Sequence, residues 1–325
     1  MKKKWILVGA AMLSAALGAL LIPVGRGGEA QSAPREKVQP VDLSAFPDAR
    51  PAAPLRLLFI HHSCGGQLLA DPGADVDPGQ NCIYTTHSNG GGLKRQLGDS
   101  GYEVHEASYG SAIGEDTDMF HWLPKFRDKM DTVLKVSHQD ELYPDDRRNQ
   151  IVMFKSCYPN NRFVAEGVAP GDPAGPDLTV WNAKATLSAL LPELKKHPEV
   201  LFVYVTAPPN APKAPKVRLY RYLLRVARGR SPGPSADDLA KSADLARQFN
   251  SWVVSRDGWL KDYAEKNVVV FDYYNTLTAG GQTNLLAYPT HDGYDSHPAR
   301  VGNERAAAAF IPFINRAVRR AGLSN

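Results

Sequence analysis

The stretch that decides the fold is LRLLFIHHSCGG, which runs from Leu55 to Gly66. Its first six residues, Leu55 to Ile60, are almost continuously apolar, and a polar, glycine-rich segment follows them directly. A short apolar run that ends at turn residues is typical of a strand buried on both faces, as in a parallel sheet. The stretch therefore predicts a buried strand with Ser63 just beyond its carboxyl end.

Similar apolar runs recur along the chain and alternate with segments of helical periodicity. The other runs are Tyr102–Ala107, Ile151–Lys155, Leu201–Thr206 and Val268–Asp272. The clearest helical segments are Trp181–Lys196, Asp237–Ala264 with a break near Asp257-Gly258, and Glu304–Ala321. This alternation predicts an α/β sandwich with a mainly parallel, five-stranded sheet and right-handed crossovers.

Composition and charge are those of a globular protein without a general affinity for nucleic acid. Of the 325 residues, 43% are hydrophobic and 22% are charged. The formal charge is +4, and residues 1–30 contribute +3 of it through three lysines and one arginine against one glutamate. The remaining +1 gives no electrostatic support for binding to nucleic acid.

The N-terminal region is predicted to direct export. Three lysines precede an apolar stretch over residues 5–24, and Gly28-Glu29-Ala30 then offers small residues at the positions that a signal peptidase reads. This pattern fits a signal peptide over residues 1–30, or an uncleaved anchor that tethers the protein to a membrane. Either alternative predicts a periplasmic, extracellular or outer-side membrane-tethered location. Residues 31–54 are rich in Pro, Ala and Gln and predict a flexible linker, and residues 55–325 form the predicted domain.

Three cysteines, Cys64, Cys82 and Cys157, bear on the redox chemistry of an exported protein. An oxidising compartment permits one disulfide, and the sequence does not choose the pair. The cysteines have no metal-binding spacing such as C-x-x-C.

A second motif, Asp295-Ser296-His297-Pro298, stands directly before the final helical segment. Parallel strands present their carboxyl ends at one edge of a sheet, so this motif can meet Ser63 there. A serine hydroxyl needs a histidine to take its proton, and that histidine needs an orienting partner. Ser63, His297 and Asp295 are therefore the predicted catalytic residues of a serine-dependent ester hydrolase.

A metal site is the chemical alternative at this edge. The residues that could supply imidazole or carboxylate ligands are His61, His62, His291, Asp292, Asp295 and His297. Adjacent residues in a strand point to opposite faces, so His61 and His62 do not suit a single ion. We expect neither a metal nor another cofactor, and we expect both histidines to form hydrogen bonds within the floor of the site.

With these motifs the chain resembles the SGNH (GDSL-type) hydrolase superfamily over most of residues 55–321. The resemblance implies a flavodoxin-like α/β/α fold with Ser63 as nucleophile after the first strand. It implies an oxyanion hole formed by the Ser63 N–H, by a glycine after the second strand, and by an asparagine after the third. The best glycine is Gly114, with Gly110 next, and the best asparagine is Asn160, with Asn161 as the alternative.

The chain also departs from the pattern of that superfamily. The usual Gly-Asp before the serine is His61-His62 here. The family's acid stands three residues before the histidine, and that position is Tyr294 here. Asp295, two residues before His297, is our choice, and Asp292 is the alternative.

The resemblance and the predicted export together imply an esterase acting on O-acyl groups, with O-acetyl esters on a glycan as the leading substrate. A lipid ester is the next substrate class. Two other functions stay open, namely an O-acyltransferase using the same site and a non-catalytic glycan-binding or assembly protein.

Two segments fall outside the strand and helix pattern. Residues 71–92 are rich in Asp, Gly and Asn and predict a loop over the site. The basic stretch Val217–Arg228 predicts an amphipathic helix, either a solvated face or a lid that contacts an anionic glycan or a membrane surface.

Overall fold

The centre of the molecule is a parallel sheet built from the five predicted apolar runs. A computed structural model of the protein describes residues 38–76, 81–213 and 235–324. The strands are β1 (Leu55–Ile60), β2 (Tyr102–Ala107), β3 (Ile151–Phe154), β4 (Leu201–Val205) and β5 (Val268–Phe271). Their order across the sheet is β2-β1-β3-β4-β5, and every neighbouring pair is parallel. This is the flavodoxin-like order, so the predicted fold class is confirmed.

Helices cover both faces of this sheet and complete a three-layer sandwich. In chain order they are α1 (Ser63–Leu69), α2 (Leu93–Asp99), α3 (Trp122–Lys135), α4 (Val180–Lys195), α5 (Ala236–Val254), α6 (Tyr273–Leu277) and α7 (Arg300–Arg320). Leu57 and Phe59 face a core formed with α1, α2 and α7, whereas Leu58 and Ile60 face a core formed with α3, α4 and α5. Alternate side chains of one strand thus enter two cores, which explains the continuous apolar run.

Several short elements lie outside the central sheet. Three two-stranded pairs join Asp71–Pro72 to Thr86–His87, Val136–His138 to Glu141–Leu142, and Pro289–Thr290 to Asp295–Pro298. Two short 3-10 turns cover Met119–His121 and Tyr158–Asn161. The predicted loop over residues 71–92 therefore contains one of the strand pairs.

The long predicted helix over Asp237–Ala264 is shorter in the structure. Helix α5 ends at Val254, and the chain then turns back so that a Cβ at Gly258 would lie 1.8 Å from the Trp252 carbonyl oxygen. Only a glycine permits so close an approach. The helix thus ends three residues before the predicted break near Asp257-Gly258.

Residues 38–54 differ from the flexible linker that their composition predicts. Val41 and Leu43 pack against the two cores, one on each. The Gln39 carbonyl accepts a hydrogen bond from the Arg256 N–H at 2.8 Å, and Pro40 forms a β-bridge with Ser255. Apolar side chains placed between polar ones hold this segment on the domain, a pattern that a count of Pro, Ala and Gln does not detect.

The predicted signal or anchor over residues 1–30, the linker residues 31–37 and the basic stretch Val217–Arg228 lie outside the described residues. No helix within the described part of the chain is long and apolar enough to cross a membrane.

Candidate active site

Ser63, His297 and Asp295 form a continuous hydrogen-bonded relay at the carboxyl edge of the sheet. Ser63 is the first residue of α1 and lies just past the end of β1. The His297 Nε2 atom lies 2.9 Å from the Ser63 Oγ, and the His297 Nδ1 atom lies 2.7 Å from the Asp295 Oδ1. The structure thus brings together all three predicted catalytic side chains, although Ser63 and His297 are 234 residues apart.

A hairpin holds the histidine and the acid against the serine. Its strands, Pro289–Thr290 and Asp295–Pro298, are antiparallel, and α7 begins shortly after it. The Ser296 Oγ accepts a hydrogen bond from the Ala211 N–H at 2.9 Å, which ties the hairpin to the loop after β4. Asp292 is exposed on the turn of this hairpin. Of the two candidate acids, the structure brings Asp295 to the imidazole.

Asp295 is held in its ionised form. Burial by itself would raise its pKa, but hydrogen bonds from the His297 backbone N–H and ring outweigh burial and lower that pKa. The backbone bond spans 3.0 Å and uses the same Oδ1 that contacts the ring. A carboxylate in this position fixes the orientation of the imidazole and can stabilise an imidazolium.

His62, the residue before Ser63, is held by two hydrogen bonds and a ring contact. Its Nε2 donates to the Gly114 carbonyl oxygen at 2.8 Å, and its Nδ1 accepts from the Thr117 hydroxyl at 3.0 Å. Its ring stacks on that of Tyr109, with the centroids 3.5 Å apart. Burial is the main reason why the pKa of His62 falls to about 4, so this ring is neutral near pH 7.

His61 has side-chain partners different from those of the His62 ring. Its Nδ1 contacts the His62 carbonyl oxygen at 3.0 Å, and its Nε2 contacts the Glu106 carboxylate at 3.2 Å. Glu106 also accepts a hydrogen bond from Lys94 at 2.6 Å. Both histidines are therefore structural parts of the floor, and the described residues contain no group of three or more potential metal ligands.

The Gly114 N–H is not available in the way the resemblance implies. It donates to the Ser111 Oγ at 2.8 Å, and a Cβ at this position would lie 1.9 Å from the Ser108 carbonyl oxygen. The second glycine, Gly110, donates its N–H to the Glu115 carboxylate at 2.7 Å. Glycine at position 114 is thus explained by a tight turn that receives the His62 hydrogen bond.

Asn160 and Asn161 have different hydrogen bonds, and the difference separates the two candidates. The Asn161 Nδ2 donates to both the Ala207 and Pro208 carbonyl oxygens, at 2.8 and 3.0 Å, which uses both of its hydrogens. The Asn160 Nδ2 donates to Asp118 at 2.7 Å and has a second hydrogen with no acceptor among the described residues. Asn160 is therefore the one of the two that retains a donor.

The backbone N–H of Ser63 is a second donor without an acceptor in the described part of the chain. It precedes the first hydrogen bond inside α1, so the helix does not use it.

The surroundings of Gly66 in α1 are tight, because a Cβ at this position would lie 1.9 Å from the Cys82 carbonyl oxygen. This glycine lets the 81–92 segment pack directly against α1.

Two side chains that no sequence motif predicted border the relay. The Tyr158 ring meets the His297 ring edge-on, with the centroids 5.3 Å apart, and the Arg162 guanidinium lies over the same tyrosine. His87, from the predicted loop over the site, has its pKa lowered by burial and by nearby His297. Tyr158 stands two residues before the predicted Asn160, which could have indicated it, whereas His87 has no sequence signal beyond its loop.

Comparison with known proteins leaves the chemistry of this site as the ground for assigning function. No protein-family model matches the chain, and no curated protein gives a significant match to it.

Proposed function

We propose that the protein is an exported serine esterase that hydrolyses O-acyl esters, with O-acetyl groups on a glycan as its substrate class. The observation that supports this most strongly is the relay from Ser63 through His297 to Asp295, with contacts of 2.9 and 2.7 Å. The SGNH resemblance of the two motifs and the export pattern of residues 1–30 support the class of enzyme and substrate.

In the proposed reaction, the Ser63 Oγ attacks the ester carbonyl carbon while its proton passes to the His297 Nε2. The Asp295 carboxylate stabilises the resulting imidazolium. The tetrahedral oxyanion receives hydrogen bonds from the Ser63 N–H and from the remaining Asn160 Nδ2 hydrogen. His297 then protonates the departing alcohol, and water attacks the acyl-serine by the same steps in reverse.

The test is hydrolysis of p-nitrophenyl acetate by the full-length protein and its Ser63→Ala and His297→Ala variants. Ser44→Ala and His138→Ala are matched controls, because both positions are exposed and lie outside the site. We expect the controls to retain the parent rate and both site variants to lose at least about 10³-fold in kcat, as triad variants do in other serine hydrolases.

A trapping experiment separates a strict substrate preference from the absence of a nucleophile. A fluorophosphonate reacts with an activated serine whatever the natural acyl group is, and its adduct can be mapped by mass spectrometry. We expect the adduct on Ser63 in the parent and none in His297→Ala. No adduct in either protein, together with no ester hydrolysis above the uncatalysed rate, would instead favour the non-catalytic binding protein.

A further inference from the structure

Two cysteine thiols lie directly beside the Ser63 hydroxyl. Cys64 follows Ser63 in α1, and Cys157 follows β3 and precedes the turn over Tyr158–Asn161. Their sulfur atoms are 3.4 Å apart, and the Cys157 sulfur is 3.8 Å from the Ser63 Oγ. The pair therefore joins the two segments that carry the proposed nucleophile and the proposed oxyanion donor Asn160.

We propose that Cys64 and Cys157 form a disulfide by exchange with a low-molecular-weight disulfide or with the disulfide of a thiol oxidase. A disulfide bond is about 2.05 Å long, so the two sulfurs need to approach by little more than 1 Å. Side-chain rotation supplies a movement of that size. The sequence permits one disulfide in an exported protein, and the structure assigns the pair.

The exchange begins at Cys157, which is 8% exposed, whereas Cys64 is wholly buried. The Cys157 thiolate attacks one sulfur of the oxidant and releases the other as a thiolate. The Cys64 sulfur then attacks the mixed disulfide and releases the second thiolate. The two cysteine protons pass to the two released thiolates, so two cysteines are oxidised and one disulfide of the oxidant is reduced.

The surroundings of Cys157 favour this order of attack. The hydrogen bond with Cys64 outweighs the effect of burial and, together with the Lys155 ammonium, lowers the pKa of Cys157 well below the usual range. Lys155 is itself wholly buried, and its Nζ donates to the Ser156 carbonyl oxygen at 3.1 Å. A thiolate is the attacking species in exchange, and a neighbouring cation increases its population.

The consequence for activity rests on the proposed function. In the reduced protein, the Cys157 sulfur is a second acceptor 3.8 Å from the Ser63 Oγ, and its lowered pKa favours a negative charge that would oppose an oxyanion forming nearby. The disulfide cannot ionise and is a weaker acceptor. We therefore expect the oxidised protein to hydrolyse esters faster, by up to roughly tenfold, the factor that one hydrogen bond of about 1.4 kcal/mol provides.

The pair is tested without reference to activity. The full-length protein is incubated with glutathione disulfide, both folded and during refolding from urea, then alkylated and digested without reduction. We expect a Cys64–Cys157 cross-linked peptide and a loss of two alkylatable thiols relative to the sample treated with dithiothreitol. The Cys82→Ser variant should behave like the parent, and Cys64→Ser should yield no internal cross-link.

Refolding exposes both thiols to the oxidant, so retention of both in that sample would overturn the pairing, as would a cross-link through Cys82. Ester hydrolysis is then compared for oxidised and reduced parent and for Cys157→Ser, whose rate should not respond to oxidant. A slower oxidised parent would overturn only the expected gain in rate. If no form hydrolyses any ester, the peptide map still decides the disulfide and the proposed function alone fails.

Discussion

The Ser63 hydroxyl lies between the His297 ring nitrogen at 2.9 Å and the Cys157 sulfur at 3.8 Å. The nitrogen is within normal hydrogen-bond distance, whereas the sulfur lies about 0.9 Å farther from the hydroxyl oxygen. The proton of Ser63 therefore has its better acceptor in His297. Asp295 strengthens that preference because its ionised carboxylate stabilises the imidazolium that results.

Replacing Asp295 with Asn tests this arrangement. The amide occupies the same volume but removes the charge and can hold the ring in the wrong tautomer, so we expect kcat to fall by roughly 10²- to 10⁴-fold. Asp292→Asn is the matched control, because Asp292 is exposed on the same hairpin, and we expect it to retain the parent rate. Steady-state hydrolysis of p-nitrophenyl acetate measures both, and the reverse pattern would show that the acid is Asp292.

His62 gives the fold a pH dependence of defined sign. Its pKa is about 4 in the folded protein and about 6.5 in an unfolded chain, so the unfolded chain takes up a proton first as the pH falls. The folded state therefore loses stability between about pH 6.5 and pH 4, on the order of 3 kcal/mol from this residue, and the loss levels off below pH 4.

Urea unfolding of the parent and of His62→Gln at several pH values from 4 to 7 measures that contribution. The variant cannot titrate at this position, so the difference in unfolding free energy should shrink as the pH falls. His138→Gln, at an exposed position, should follow the parent at each pH. Parallel curves for the parent and His62→Gln would contradict a neutral, buried His62.

At the scale of elements, two neighbouring asparagines in the turn after β3 have different roles. Asn161 fastens the turn to the loop after β4 and also accepts a hydrogen bond from Asn250 at 2.8 Å. Asn160 anchors Met119 and Asp118 with its side chain and keeps one N–H unused. Asn161 therefore stabilises the turn, whereas Asn160 has an N–H that can donate to a bound ester.

Alanine at each of these positions should separate the two roles. We expect Asn160→Ala to lower kcat by about 10²- to 10³-fold with little change in KM, as the loss of an oxyanion donor does. We expect Asn161→Ala to lower the unfolding free energy by about 1–3 kcal/mol, because buried carbonyls lose their donors, while kcat stays near that of the parent. Steady-state kinetics and urea unfolding of both variants check this, and a large kcat loss confined to Asn161→Ala would exchange the assignments.

The sheet, the relay and the candidate donors Ser63 and Asn160 could be predicted from the sequence, whereas several helices and the use of the Gly114 N–H could not. Strands buried on both faces leave continuous apolar runs, and Leu55–Ile60 was predicted to the residue. Helix α1 carries Gly65 and Gly66, which disfavour helices, and α3 buries Lys125, whose ammonium donates to the Ile113 and Glu115 carbonyl oxygens. Such helices depend on tertiary contacts, which local periodicity does not record.

The same limit applies to Gly114 and to residues 38–54. Gly114 matched a motif position, but the use of its N–H depends on Ser111 and on the fold of a turn. Residues 38–54 have the composition of a linker, and their attachment depends on partners more than two hundred residues away, such as Asn315 and Arg316. Contacts of that range are set by the folded topology and leave no local pattern.

At the scale of the whole molecule, Asn315 joins three parts of the domain. From α7, its Oδ1 accepts a hydrogen bond from the Tyr102 hydroxyl at the start of β2, at 2.7 Å. Its Nδ2 donates to the Asp48 carbonyl oxygen in the N-terminal segment at 2.8 Å. The edge strand, the last helix and residues 38–54 thus meet at one buried amide.

Replacing Asn315 with Ala should therefore loosen the N-terminal segment without altering the relay. The buried Tyr102 hydroxyl loses its acceptor, so we expect the unfolding free energy to fall by about 1–3 kcal/mol. We also expect faster proteolytic cleavage within residues 38–54, because the Asp48 carbonyl is released. Glu304→Ala, at an exposed position of the same helix, should change neither measurement. Unchanged cleavage in Asn315→Ala would mean that Val41 and Leu43 hold the segment by apolar packing alone, and that the amide contributes only to the last helix and the edge strand.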